Sequence, residues 1–424
     1  MDSIRKELLP GVFLTCVHAV KFKTGLLSAH FVTPLDKRAA APGALLPAVL
    51  RRGTVRCPDM RSLSRTLDLM YGAGVSYTVR KLGENQCLGF VMSFIDDAYA
   101  PGGEHLVEQA AALLGELLLE PVTRGGRFLS RYVDSEKANL IDAIRGLIDD
   151  KRDYADARLL REMCRGERYG VPRLGTEERV AKLNNQTLYL FYQQLLAQSR
   201  LELFYCGSAS FGRVEDALDR ALAALPRGQL TAPAEAERRS APGTPRRVVE
   251  TLDVTQGKLA MGFRAADDDP AALLLMNLIF GGYSNSRLFL NVREKLSLCY
   301  YASSVYHRAK GLVTVSSGIE FEDEPRVRDE ILAQLRAVQD GPLAPWELEG
   351  AKSVMLSAIA QRGDSAFRME EQALARAAAQ LRETDDELAD RIRAVTAERV
   401  AEAARSLTLD TIYFLTGEEA AAHD

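Results

Sequence analysis

Arg293 and Tyr300 stand seven residues apart in this 424-residue chain. A guanidinium presents a rigid fork of N–H donors and a phenol presents one O–H, so the two together can grip or polarise a carbonyl. On residue type alone, Arg293 reads as a salt-bridged surface residue and Tyr300 as a strand residue with a solvated hydroxyl. Metal chemistry has less to work with. A helical zinc site of the hydrolase kind needs two imidazoles four residues apart, a carboxylate base beside them and a third ligand from elsewhere. The five histidines, His18, His30, His105, His307 and His423, contain no such pair. His105 lies between Glu104 and Glu108 in a pattern that suits a solvated helix start. Asp267, Asp268 and Asp269 precede Pro270 and fit a helix N-terminus, where negative charge is favoured. Cys299 has no histidine near it in sequence to form a nucleophile pair, which predicts a buried thiol. No glycine-rich phosphate loop, serine nucleophile elbow or Cys-x-x-Cys pair occurs.

Composition narrows the class. Hydrophobic residues make up 47% and charged residues 26%, and 54 basic against 58 acidic side chains give a net charge of −4. That balance argues against a dedicated nucleic-acid binder, and Lys151-Arg152-Asp153 and Arg238-Arg239 are only local charge groups. Six scattered cysteines, Cys16, Cys57, Cys87, Cys164, Cys206 and Cys299, read as free thiols in a reducing compartment. With no apolar run of about 18 residues and no signal-like start, the expectation is a soluble cytoplasmic protein without a membrane role.

The elements that position these residues fall into two series. In the first, strands are expected at 12–20, 26–31, 75–79, 87–95 and 201–206. Helices are expected at 42–50, 59–71, 103–119, 128–163 and 185–197. Over 128–163, Leu140, Ile141, Ile144, Leu147 and Ile148 follow the spacing of one buried helical face. Pro47 inside 42–50 removes a donor and crowds the preceding turn at a cost of ~3 kcal/mol, so that helix is expected to kink or start late. Tyr169-Gly170-x-Pro172-x-x-Gly175 carries turn chemistry. Residues 226–247 are polar and proline-bearing, as in a linker. The second series has strands at 248–252, 259–263, 300–305, 312–321 and 412–415, with helices at 270–280, 288–295, 326–339 and 345–381. Strand, strand, helix, helix, strand, strand, helix, long helix, strand thus occurs twice, which predicts an internal duplication. The fold class expected is α+β: two tandem homologous domains, 1–225 and 248–424 about the 226–247 linker, each a mostly antiparallel sheet packed with helices.

One block is specific. Phe280-Gly281-Gly282-Tyr283-Ser284-Asn285-Ser286-Arg287-Leu288-Phe289, followed by Val292-Arg293-Glu294-Lys295-Leu296-Ser297-Leu298-Cys299-Tyr300, resembles the C-terminal domain signature of the insulinase, pitrilysin and mitochondrial-processing-peptidase family. The likeness extends over nearly the whole chain, through Gly53-Thr54, Tyr169-Gly170 and the linker. It implies that Arg293 and Tyr300 stand at the positions that hold substrate over the zinc. It also implies what is missing: counting back from Gly53-Thr54, the family's two metal-binding histidines fall on Ala44 and Ala48 and its general base on Pro47. Glu136-Lys137 matches the family's Glu-Arg-like pair on the long helix, which puts the third ligand, seven residues on, at Ala143. No metal, no cofactor and no catalytic residue are therefore expected.

The resemblance implies a non-catalytic subunit that pairs with a zinc-bearing paralogue and adds contacts to a peptide substrate. A second reading is a stand-alone scaffold or peptide-binding homodimer without peptidase activity. The sequence names neither the partner nor the substrate.

Overall fold

The computed structural model describes residues 3–381 and 383–418, so His423 lies outside the described residues. In chain order the first half contains β1 (Ser3–Leu9), β2 (Val12–His18), β3 (Thr24–Pro34), α1 (Ala40–Leu50), α2 (Met60–Leu69), β4 (Gly74–Leu82), β5 (Asn85–Ile95), α3 (Leu106–Leu119), α4 (Ser130–Arg145), α5 (Lys151–Met163), α6 (Glu177–Ala181), α7 (Asn185–Gln198), β6 (Arg200–Gly207) and α8 (Phe211–Leu222). The second contains β7 (Arg246–Thr251), β8 (Gly257–Ala265), α9 (Pro270–Asn277), β9 (Tyr301–His307), β10 (Leu312–Ile319), α10 (Glu324–Asp340), α11 (Pro345–Ala360), α12 (Ala366–Ala379), α13 (Asp385–Ala394), α14 (Ala397–Arg405) and β11 (Leu407–Thr416).

The duplication is visible in the sheets. One has the order β1-β2-β6-β3-β5-β4 and the other β7-β11-β8-β10-β9. Each has a single parallel pair, β2 with β6 and β7 with β11, and antiparallel pairs elsewhere. Aligning the two orders matches β2 with β7, β6 with β11, β3 with β8, β5 with β10 and β4 with β9. The edge strand β1 has no counterpart.

The compact units do not follow the chain. One comprises residues 1–145, 171–235 and 362–381, and the other 146–170, 236–361 and 382–424. The contiguous division expected at 226–247 separates the two repeats, whereas the compact units trade equivalent segments, α5 for α12. Side-chain alternation shows why both central strands need that cover. In β3, Leu27, Ala29 and Phe31 join the core beneath α1, α2, α3, α7 and α8, while Leu26, Ser28, His30 and Val32 face the side covered by α12. In β8, Leu259, Met261 and Phe263 face one core, while Ala260, Gly262 and Arg264 meet α5 and the turn after it. A Cβ on Gly262 would lie 2.6 Å from Met163 Sδ, so glycine here sets how closely α5 approaches.

Two expected long helices are broken. Residues 128–163 form α4 and α5 with a short turn between, because Asp150 accepts hydrogen bonds from Arg152 N and Asp153 N and starts a new helix. The buried face expected there is incomplete: Leu147 is 46% exposed. Residues 345–381 likewise divide into α11 and α12, with Ser365 capping the second. Helices α8, α13 and α14 were not expected. Conversely, α1 does not start late; it runs from Ala40 through Pro47 to Leu50 with every residue buried. Pro47 has no N–H to offer the carbonyl of Gly43, four residues back, and a glycine there limits the crowding. The 226–247 stretch has no regular element before β7 apart from a bridge at Thr231, and it is pinned where Asn85 exchanges two hydrogen bonds with the Ala234 backbone.

Candidate functional site

Helix α1 carries no charged side chain, and its Ala, Leu, Val and Pro residues let it pack against β4, β5 and α4 without polar cost. Ala44 is 3% and Ala48 7% exposed. At its first turn, Gly175 closes on the helix from another segment: its φ is +74°, and a Cβ would meet Ala41 at 2.8 Å.

Ala48 opens onto a cleft of about 290 Å³, together with Arg51, Arg52 and Met60, Tyr77 on β4, and Glu136 and Asn139 on α4. Arg52 Nε donates to Glu136 Oε1, Arg52 Nη2 donates to Ser135 Oγ at 2.8 Å, and Asn139 Nδ2 donates to Glu136 Oε2 at 3.1 Å. A buried carboxylate is thus held by an arginine and an amide, which is the condition for keeping it in a nearly dry site. Ala143 is exposed and does not line this cleft. The α4 side chain that faces Ala48 is Glu136, two turns earlier, so the carboxylate in the cleft is one that the sequence register assigned to the position before the ligand. The donor set does not fit zinc: no imidazole lines the cleft, and its carboxylate is engaged by Arg52. Arg52 went unremarked in the sequence, although its place immediately before Gly53 was visible.

The 280–300 block sits in the other compact unit. Helix α9 starts where Asp269 accepts from Ala271 N and Ala272 N, with Pro270 in the first turn. The backbone then widens over Leu278–Gly282 and again over Leu288–Lys295, where Leu296 N reaches back five residues to Asn291 O. Arg287 is the structural arginine of this block. Its Nε and Nη2 clamp Glu347 at 2.7 and 3.0 Å, and Glu347 also accepts from Ala344 N at the start of α11. Glu347 consequently stays charged, with its carboxyl below the usual range: burial opposes this and the Arg287 bonds overcome it.

Arg293 has no comparable clamp. Its side chain is exposed, stacks over Phe289 at 4.8 Å and pairs only loosely with Glu294 at 3.6 Å. Tyr300 is 58% exposed and donates its hydroxyl to Glu320. That bond raises the phenol above its ordinary range, so it remains a donor. Both side chains are open to solvent within their unit.

The remaining candidates have structural roles. Asp97, His105 and Glu108 form the one three-donor cluster found among the described residues, and the Arg213 guanidinium occupies it, bonding to all three. Asp267 and Asp269 pair with Arg399 and Arg391. None of the six cysteines is in a disulfide, and five are buried; Cys299 is half-buried. Burial pushes the Cys16 thiol up to about 11 and the Cys206 thiol to about 12, which makes them inert near neutrality. The sequence did not suggest the buried group beneath α12: His30 Nδ1 lies 3.3 Å from Glu370, its Nε2 lies 2.8 Å from Thr78 Oγ1, and Arg80 and Ser28 also bond to Glu370. Burial, and secondarily Arg80, lowers His30 to about 3. The ring is neutral, so its approach to Glu370 is not an ion pair. No helix among the described residues is long and apolar enough to cross a membrane.

Two repeats of one mostly antiparallel sheet with helices, and a cleft stripped of imidazoles, define a metallopeptidase-like scaffold without the metal site. Comparison with known proteins makes this specific. Residues 182–355 match the family model described as Peptidase M16 inactive domain. The chain is 34% identical over 418 residues to the probable inactive metalloprotease YmfF of Bacillus subtilis, covering 97% of each. It is 23% identical over 360 residues to the uncharacterized zinc protease YmxG of the same organism, covering 82% of this chain and 86% of that protein. Among solved structures, a conserved protein from Enterococcus faecalis superposes with a TM-score of 0.89 at 27% identity over 99% of both chains. The chain belongs to the M16 peptidase family, the insulinase-like family of the resemblance, as an inactive member.

Proposed function

We propose that this chain is a non-catalytic cytoplasmic subunit that pairs with a zinc-bearing M16 peptidase and contributes contacts to its peptide substrate through Arg293 and Tyr300. The observation that carries this reading is the division of labour among the signature residues. Arg287 is consumed in a buried clamp that holds the block together, while Arg293 pairs only loosely with Glu294 and Tyr300 donates to Glu320 at the surface. Donors left solvated in this way can be turned to a peptide carbonyl without breaking a buried bond. Bacillus subtilis carries one relative named as a probable inactive metalloprotease and another named as a zinc protease, which supports pairing of an inactive with an active chain. The fold also accounts for about half of the periplasmic protease PqqL of Escherichia coli, covering 48% of it at a TM-score of 0.75.

The test is reconstitution. The chain is co-expressed with a zinc-bearing paralogue and peptide cleavage is measured for the native pair and for Arg293→Ala and Tyr300→Ala. Each substitution is expected to lower kcat/KM with the complex intact. Native activity in both variants would overturn the contact role. A stable homodimer that binds peptides and never associates with a metal-bearing relative would favour the scaffold reading instead.

A further inference from the structure

The cleft beside Ala48 retains a binding chemistry of its own. Its two arginines are not equivalent. Arg52 is spent on Glu136 and Ser135. The side chain of Arg51, on the same rim, makes no hydrogen bond or ion pair among the described residues, and its Nε is buried without a partner. A buried guanidinium nitrogen with nothing to donate to is costly, and that cost falls when an acceptor enters. With Glu136 neutralised by Arg52 and Asn139, the charge left uncompensated in the cleft is the one on Arg51. The acceptor is therefore an anion. The other walls are the methyl of Ala48, Met60 and the ring of Tyr77, so the ligand has an apolar part beside its charge. A volume of about 290 Å³ admits a group the size of one amino-acid residue.

We infer that this cleft, where the family's metal site would lie, is a carboxylate-binding pocket in which Arg51 anchors a peptide through its C-terminal carboxylate or through an acidic side chain. The planar fork of a guanidinium matches a carboxylate in two parallel bonds, which an ammonium cannot reproduce. No bond is made or broken, since the site holds no base and no metal donor set. As to the source of the carboxylate, the inference rests on the peptide-binding reading above; the anion preference of Arg51 does not.

The experiment titrates the purified full chain with a fluorescent peptide in three forms: free acid, C-terminal amide, and amide with an added internal glutamate. N-acetyl-leucine serves as a small carboxylate probe. The native chain, Arg51→Ala, Arg51→Lys and Arg56→Ala are compared, the last removing an exposed charge that pairs with Glu116 outside the cleft. Amidation is expected to weaken binding about tenfold if the chain end is bound, and the added glutamate to restore it if a side chain is bound. Arg51→Ala is expected to abolish the difference between acid and amide, Arg51→Lys to recover part of it, and Arg56→Ala to leave it unchanged. Equal affinity for all three peptide forms, or equal binding by Arg51→Ala and native protein, overturns the anchor while leaving peptide binding standing. Binding of N-acetyl-leucine that depends on Arg51, without binding of any peptide, supports the anchor and overturns the peptide reading. Binding of neither overturns both. Should Arg51→Ala fail to fold, Arg51→Lys and the amidation series decide the matter.

Discussion

Arg52 and Glu136 are bonded to one another in the cleft beside Ala48, joining the end of α1 to α4. The pair ties the two helices together through the only carboxylate that lines the cleft among the described residues. Restoring histidines alone therefore does not restore a site. The Ala44→His, Ala48→His double variant is expected to lose zinc on dialysis against a chelator. Adding Arg52→Ala, which frees Glu136, is expected to raise its zinc affinity. Stoichiometric zinc retained by the double variant alone would contradict the account. Imidazole at the fully packed Ala44 also overfills the core, at a cost of about 1–3 kcal/mol, readable as a lower urea midpoint.

The Arg287–Glu347 clamp makes its own prediction. Truncation in Arg287→Ala strands a nearly buried carboxylate and is expected to destabilise the unit carrying α9 to α11 by about 1–3 kcal/mol. Arg287→Lys, which keeps the charge but not the fork, is expected to fall between that variant and the native protein. Urea unfolding followed by Trp346 fluorescence measures both, because Trp346 lies beside Glu347 in α11. No change for Arg287→Ala would show the clamp to be incidental.

His30 gives a pH dependence. Its folded value, about 3, lies below the ordinary 6.5, so between these values the unfolded chain binds a proton that the folded chain refuses. Its contribution to stability is present above about 6.5 and is lost as pH falls toward 3. Glu370 acts in the opposite sense: burial raises it despite Arg80, so the folded chain takes up its proton earlier than the unfolded chain on acidification. Replacing His30 with Gln keeps hydrogen-bonding capacity and removes the titration. The acid limb of the urea-midpoint profile is expected to be shallower in His30→Gln than in the native chain. An unchanged slope would place the acid sensitivity elsewhere.

Gly262 tests the packing of the exchanged helix. A β-branched side chain there meets Met163 within the approach of α5 to β8. Gly262→Val is expected to cost about 1–3 kcal/mol through overpacking, and Gly262→Ala less, because the Met163 side chain can turn aside. Equal midpoints for Gly262→Val and native protein would mean that α5 does not pack closely on β8.

These variants also mark how far the sequence could be read. The repeat was legible because apolar strands and turn glycines recur in the same order, and the sheet topologies match strand for strand. The exchange of α5 and α12 was not, because it depends on which sheet lacks cover and not on any local pattern. The breaks before those helices were marked by Asp150 and Ser365, whose capping roles were masked by long helical periodicity around them. Helix 185–197, which is α7, has no counterpart in the second series as read from the sequence, and that gap was the one visible sign of a missing helix there. At the cleft, Ala48, a side chain that offers a metal nothing, lies on the wall. Glu136 was read as a landmark for Ala143, since spacing along α4 cannot say which turn faces α1; the tertiary placement and the bond from Arg52 decide that.

The central claim is that this chain serves a peptidase that it does not itself constitute. Its most direct test is peptide cleavage by a zinc-bearing M16 paralogue, measured alone, with this chain added, and with the Arg293→Ala, Tyr300→Ala double variant added. The account predicts that cleavage by the paralogue rises when the native chain is present, that the two co-elute, and that the double variant co-elutes without restoring the rate. Full activity of the paralogue alone, unchanged by either form of this chain, would contradict it.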